Sequence, residues 1–170
     1  MTTPCEQNYQ LCPIFRTMSP EERQHVLQLA DYQNFRIGSS IIREKATVPS
    51  GLWMLRSGQC EVVCSLNSGG EQQMAFLNPG AIFGEMSLFD PGPHSATVRA
   101  VTECELMFLS AEKIELLQST DLVAALKLTK NMGRMMAGKL RRMDYYKFDL
   151  FPVSPVISGN SEATVSTPAE

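Results

Sequence analysis

The stretch Gln59-Cys60-Glu61-Val62-Val63-Cys64-Ser65-Leu66, followed by Asn67-Ser68-Gly69-Gly70 and then by Glu71 to Leu77, decides the fold class. A strand-length run, a four-residue turn of Asn, Ser and Gly, and a second strand-length run read as a β-hairpin. On period-two alternation Cys60, Val62 and Cys64 share one face, which makes Cys60 and Cys64 core residues rather than a reactive pair. Similar short runs lie on both sides of this hairpin. Their breakers are Gly38-Ser39-Ser40, Pro49-Ser50-Gly51, Ser57-Gly58, Asn78-Pro79-Gly80 and Asp90-Pro91-Gly92-Pro93. About eight strands fit between Phe35 and Ser110. Regularly spaced short strands predict a mainly β fold, a jelly-roll-like β-roll, with helices flanking it.

The helices sit at the two ends. Ser19-Pro20-Glu21-Glu22 carries a capping serine, a proline at the first helical position and an acid three residues after the cap. Val26, Leu27 and Ala30 give that helix an apolar face, and the pattern fades near Asn34. Ser110 caps a short helix through Leu117, and a long helix runs over 121–147. In the long helix Leu122, Leu126, Thr129, Gly133, Met136, Leu140 and Met143 step by alternating fours and threes, the spacing of a helix-on-helix seam. Ala125, Leu128, Met132 and Met135 form a second stripe beside it. Two stripes predict two contacts, one onto the β core and one onto a second copy of the chain; the simpler alternative packs the whole helix on its own domain. Gly133 and Gly138 each cost about 1 kcal/mol of helix propensity relative to Ala, a cost that close approach of another backbone would offset. A domain over residues 10–147 is expected, with 151–170, rich in Pro, Ser, Thr and Gly, as a disordered tail.

Composition narrows the function classes. The 170 residues carry a net charge of -3, with 44% hydrophobic and 19% charged residues, as in a single soluble domain. No apolar run approaches the roughly 18–20 residues of a membrane span, and Met1-Thr-Thr-Pro-Cys-Glu6 lacks the charged and apolar regions of a signal peptide. A cytoplasmic location is expected. The five cysteines, at 5, 12, 60, 64 and 104, show no zinc-site spacing and read as free thiols rather than a disulfide framework. The two histidines, His25 and His94, form no metal-binding motif, and no Gly-x-Ser-x-Gly elbow is present, so an enzyme is not expected.

The chemistry-bearing segment is Phe83-Gly84-Glu85-Met86-Ser87-Leu88-Phe89-Asp90-Pro91-Gly92-Pro93-His94-Ser95-Ala96-Thr97-Val98. Gly84 permits a tight turn and close backbone approach. Glu85 to Leu88 forms one helical turn whose free N–H groups suit an anion. Ser95-Ala96-Thr97-Val98 resumes a strand. In this segment the chain resembles the cyclic-nucleotide-binding domain family, which includes the catabolite activator protein and the kinase A regulatory subunit. The resemblance covers residues 14–145. It takes in Ile14-Phe15, Met18 to Glu22, Ile41 to Glu44, Leu52 to Gly58 and Leu77 to Glu85. It implies a β-roll enclosing a ligand, cAMP or cGMP, with flanking helices that respond to it. It further implies that Glu85 holds a ribose 2′-hydroxyl. Backbone groups at Gly84, Met86, Ser87, Ser95 and Ala96 would line the cyclic phosphate.

One position departs from the family pattern. Where its cyclic-nucleotide binders carry an arginine, this chain carries His94. Arginine is always charged and offers a fork of donors, whereas histidine, with an ordinary pKa near 6.5, is mostly neutral at pH 7. Two readings stand: a pocket that no longer takes cyclic mononucleotides, or one whose affinity rises as pH falls from 8 to 6. Arg43 and Arg99 are alternative sources of the charge. At the base end of the ligand, Met143, Asp144 and Tyr145 occupy the neighbourhood where the family's activator pattern has Thr or Ser. Tyr145 or Tyr146 stacks on a base or simply anchors the helix end.

Catabolite-activator relatives carry a helix-turn-helix after the long helix, but only about 20 residues follow Leu150 here, so no DNA-reading module is expected. Within 127–147, seven basic residues face the single acid Asp144, a surplus of six, while the rest of the chain carries -9. That run is either a solvated face or a contact for an acidic partner or anionic ligand. The expectation is a non-enzymatic regulatory module that binds a cyclic nucleotide or related phosphate weakly. The alternative is a dimeric interaction module with a vestigial pocket and an unidentified protein partner.

Overall fold

The computed structural model describes residues 12–46 and 50–150, with side chains described through Met143. The expected tail at 151–170 and the roles of Asp144, Tyr145 and Tyr146 lie outside the described residues and side chains. The chain divides into two compact units, Met1–Met136 and Ala137–Glu170.

A single 3-10 turn, Pro13–Phe15, precedes helix α1, Pro20–Leu29. The Ser19 hydroxyl accepts from the Glu22 N–H at 3.2 Å, and the Glu22 carboxylate accepts from the Ser19 N–H at 2.7 Å, so the capping box is complete. The helix ends at Leu29, earlier than the fading near Asn34 suggested. Asp31–Phe35 is instead strand β1, because each of its residues pairs with β8, Cys104–Ser110. That partner is 69 to 77 positions away, so local periodicity carries no sign of it.

Among the described residues seven further strands lie between Phe35 and Ser110, one fewer than the eight expected there, and β1 brings the total to eight. With β2 (Ser40–Ile42), β3 (Gly51–Ser57), β4 (Cys60–Ser65), β5 (Glu71–Leu77), β6 (Ile82–Phe83) and β7 (Thr97–Ala100), β1 and β8 form two antiparallel four-stranded sheets. Their orders are β1-β8-β3-β6 and β2-β7-β4-β5. Short helix α2, Met86–Phe89, lies between β6 and β7; α3, Ala111–Thr120, and α4, Leu122–Leu150, follow β8.

The central strands β3 and β8 are apolar on both faces because each serves two cores. Leu52, Met54, Met107 and Leu109 point to the helices and join Ile14, Phe15, Val26, Leu117, Leu128 and Met132. Trp53, Leu55 and Leu106 alternate to the opposite face, inside the roll, with Ile42, Cys60, Phe83, Val98 and Ala100. Trp53 centres this second core: its ring lies 4.4 Å from Phe108, 5.8 Å edge-on from Phe35 and 6.4 Å stacked over Phe83, all between centroids.

Strand β4 corrects one expectation. Its pairing with β5 shifts register between Val62 and Val63, and the extra residue of that bulge breaks the alternation. Cys60 and Val63 are the buried residues, while Val62 and Cys64 are only half-buried. Cys64 is therefore not a core residue.

The helical boundaries also move outward. Ser110 caps α3, accepting from the Lys113 N–H at 3.3 Å, and α3 continues to Thr120 rather than Leu117. Asp121 then accepts from the Ala124 N–H at 3.0 Å and opens α4, which reaches Leu150 rather than Lys147. In the first unit α4 has the two expected faces. Ala125, Leu128 and Met132 are buried and Met135 packs partly against them, whereas Leu122 and Leu126 are exposed, Leu126 at 61%.

Candidate functional site

Gly84 closes β6 in a conformation that an L side chain rarely adopts, φ +79°. Space enforces the same choice. A Cβ there would lie 2.8 Å from the Gly51 carbonyl oxygen, 3.1 Å from Trp53 Cδ1 and 3.4 Å from Ile42 Cδ1. The turn of chain after it is thereby pressed onto β3 and the end of β2. Glu85 follows at the N-cap of α2, and both Glu85 and Ser87 are buried, at 6% and 5% exposure. Charged residues are rarely so enclosed without a task or a partner. The Ser87 hydroxyl donates to the Gly84 carbonyl at 2.8 Å, which ties the first turn of α2 back onto the glycine. Met86 points outward, 60% exposed.

His94, Ser95 and Ala96, the other expected site residues, lie on the segment that leads into β7. The His94 carbonyl accepts from the Lys45 N–H at 2.8 Å, and its own N–H donates to the Ala46 carbonyl at 3.3 Å. One residue pair further on, the Glu44 N–H donates to Thr97 Oγ1 at 3.0 Å. Cys64 donates its thiol to the Ser95 carbonyl at 3.7 Å. Both segments thus abut the connection from β2 to β3: Gly84 through Ile42 and Gly51, His94 through Lys45 and Ala46. The His94 Nε2 atom is enclosed and has no hydrogen-bond partner among the described residues, a cost that a bound acceptor or donor would remove.

Two supporting residues escaped the sequence reading. Glu44 accepts from the Ser65 N–H at 2.7 Å, which holds the β2–β3 turn against the end of β4. That hydrogen bond lowers the Glu44 carboxyl below its ordinary range. Lys45 sits at φ 62°, a left-handed conformation without glycine's freedom. An acid and a lysine in a polar turn carry no local signal of these roles.

The two arginines weighed as replacements are also placed. Arg99 Nε donates to Glu61 at 2.8 Å and its Nη2 to Glu71 at 3.1 Å, and both contacts raise its pKa. Its neighbours Val98 and Ala100 face the roll interior, so Arg99 faces away from it. Arg43 is exposed.

The cyclic nucleotide-binding domain family matches residues 32–121, more than half of the chain. A cyclic AMP receptor protein from Thermus thermophilus is 32% identical over 133 residues, 78% of this chain. This chain belongs to the cyclic nucleotide-binding domain family. The matched region spans 59% of that receptor protein's length. The crystal structure of the Thermus thermophilus catabolite activator protein superposes with a TM-score of 0.73 at 30% identity, over 81% of this chain and 62% of the other. A cyclic nucleotide-binding domain from Methylobacillus flagellatus, at 19% identity and a TM-score of 0.74, shares the fold over 89% of this chain and 88% of its own. The mainly β roll with flanking helices and a long C-terminal helix is therefore the fold of the family, and a ligand-binding regulatory module is its general role. No described helix is long and apolar enough to cross a membrane.

Proposed function

We propose that this chain is a non-enzymatic regulatory module whose roll receives a cyclic nucleotide, or a related anionic phosphate ligand, against the turn that follows Gly84. The observation that carries this reading is the crowding at Gly84, which leaves no room for a side chain and brings buried Glu85 and Ser87 next to a bare stretch of backbone. On this reading Glu85 accepts from a ribose hydroxyl, and the N–H groups of Gly84 to Ser87 and of Ser95 meet the phosphate. His94 stands where family binders carry arginine. Arg99, held by Glu61 and Glu71, does not replace it. Loss of a buried charge partner costs about 2–5 kcal/mol, so cAMP or cGMP binds roughly 30-fold to several thousand-fold more weakly than in an arginine-bearing pocket. A signal follows only if the ligand favours one arrangement of the flanking helices over another.

A thermal-shift titration with cAMP, cGMP and cyclic dinucleotides up to millimolar concentration tests this. Binding to the native state raises Tm with ligand concentration, and His94→Arg moves the response to at least 30-fold lower cyclic mononucleotide concentration. No shift in either protein rejects the reading. Calorimetry at pH 8 and pH 6 then reports whether His94 binds as a cation, in which case affinity is higher at pH 6.

A second reading rests on the uncovered stripe of α4. Leu122 and Leu126 are exposed in the first unit. This stripe suits a homodimer, or an unidentified protein partner, with the pocket vestigial. Leu126→Lys converts a dimer to a monomer in sedimentation experiments on this reading; an unchanged size removes it.

A further inference from the structure

Cys60 opens β4 in one sheet and Cys104 opens β8 in the other, yet their sulfur atoms are 3.6 Å apart in the buried core. The approach is held by the two turns that precede them. The Val101 and Thr102 N–H groups donate to the Gln59 carbonyl at 2.8 and 3.3 Å, and the Gln59 N–H donates to Thr102 Oγ1 at 2.9 Å. Gly58 is packed so closely against this turn that a Cβ would lie 2.8 Å from the Cys104 sulfur. Sheet pairing fixes the rest, Cys60 against Ala100 and Leu77, and Cys104 against Phe35. A disulfide needs the sulfurs to close by roughly 1.5 Å to a bond near 2.05 Å. Of the two residues it is Cys104, itself only 3% exposed, that lines a surface pocket of about 420 Å³, with Arg36, Ser57, Glu103 and Glu105.

We propose that Cys60 and Cys104 form a reversible disulfide that staples the two sheets of the roll together, made by exchange with a low-molecular-weight disulfide such as glutathione disulfide. Cys104, the pocket-side thiol, loses its proton and attacks one sulfur of the small disulfide; the other sulfur departs and takes up a proton as a free thiol. Cys60 then attacks the Cys104 sulfur of the mixed disulfide and releases the second small thiol, which takes the Cys60 proton. Two protein thiols and one small disulfide become one protein disulfide and two small thiols. Burial, reinforced by the neighbouring Cys104 thiol, pushes Cys60 up to about 12, so its thiolate is scarce at neutral pH and the second, intramolecular step is the slow one. The other described cysteines are placed otherwise: Cys64 is turned to the Ser95 carbonyl, and Cys12 lies in the helix-side core.

The full chain incubated with glutathione disulfide, digested without reductant and mapped by mass spectrometry tests the proposal. A peptide pair joined through Cys60 and Cys104, 2 Da lighter than its two thiols, is expected. It persists in Cys64→Ser and vanishes in Cys60→Ser and Cys104→Ser. Because the bridge spans residues 44 apart, the oxidised wild-type chain melts about 5–10 °C above the reduced one, and dithiothreitol reverses the rise. Glutathione retained on Cys104, a bridge to any other cysteine, or thiols unchanged after prolonged incubation each overturn it. The wild-type peptide map is decisive even if a variant fails to fold.

Discussion

Gly84 and Lys45 are two residues in left-handed backbone, and they face opposite consequences. At Gly84 the conformation, φ +79°, coincides with contact to the Gly51 carbonyl, so Gly84→Ala adds a backbone clash to the intrinsic strain of the left-handed region. A loss of about 2–3 kcal/mol is expected, read as a Tm lower by roughly 5–10 °C. Lys45, at φ 62°, is exposed and bears the strain with no packing reason for its side chain. Lys45→Gly raises stability by about 0.5–1 kcal/mol in a denaturant melt, the strain relieved being partly offset by the entropy of the unfolded glycine. Gly84 was legible in the sequence because a glycine before a first-turn acid is a local pattern. Lys45 was not, since nothing in Arg43-Glu44-Lys45-Ala46 announces a positive φ; two backbone hydrogen bonds to His94, distant along the chain, hold this turn.

At the scale of elements, α1 is joined to α4 by side chains whose charge state matters. Lys127 Nζ lies 2.6 and 2.8 Å from the two Glu22 carboxylate oxygens, and His25 Nδ1 lies 2.6 Å from Asp121. The Lys127 hydrogen bond, with the capping contact to Ser19, lowers the Glu22 carboxyl below its ordinary 4.5. In the folded chain this group therefore takes its proton at lower pH than in the unfolded chain. The unfolded state binds protons first, so the contribution is complete above pH 4.5 and is lost as pH falls through the depressed value. Glu22→Gln accordingly shows a shallower fall of Tm between about pH 5 and 3 than the wild type, while losing some stability at pH 7. Asn131 makes a different link. Buried on α4, it donates to the Ile14 carbonyl at 2.8 Å and accepts from the Thr17 hydroxyl at 3.1 Å. Asn131→Ala leaves the buried Ile14 carbonyl without its partner and costs about 1–3 kcal/mol in a chemical melt. The apolar stripes of α4 could be read from spacing alone, but Asn131 reads as an ordinary polar residue in a basic helix. Its role arises only when the chain at Ile14 arrives beside it. The β4 bulge is the same lesson in a strand: alternation places Cys64 inside, and pairing to β5 and β7 together decides that Val63 goes there instead.

In the whole molecule, two apolar cores share β3 and β8, one under the helices and one inside the roll. The candidate ligand turn belongs to the second, since Phe83 stacks on Trp53 and Gly84 touches it. Trp53→Ala therefore destabilises the roll by about 3–5 kcal/mol and removes any ligand-induced rise in Tm along with it, whereas His94→Arg changes the ligand response without lowering the apo Tm. Measuring both variants with and without cAMP separates a collapsed pocket from a retuned one. Net charge behaves as an average over unlike parts: the -3 of the chain combines a strongly basic α4 with an acidic remainder. Some of that charge is already neutralised, Lys127 by Glu22.

What the sequence by itself determined is whatever depends on near neighbours: the succession of short strands set by turn residues, the capping box at Ser19, the two stripes of α4, and the Gly84-Glu85 turn with His94 ten residues on. These follow from backbone freedom, hydrogen bonds within one turn and side-chain period, all of which act over a few residues. Only the tertiary structure decided where β1 begins, that the β4 bulge swaps Val63 for Val62 and Cys64, that Arg99 is held by Glu61 and Glu71, and that Cys60 meets Cys104. Each of those depends on a partner distant along the chain, whose position is fixed by packing two sheets and several helices at once.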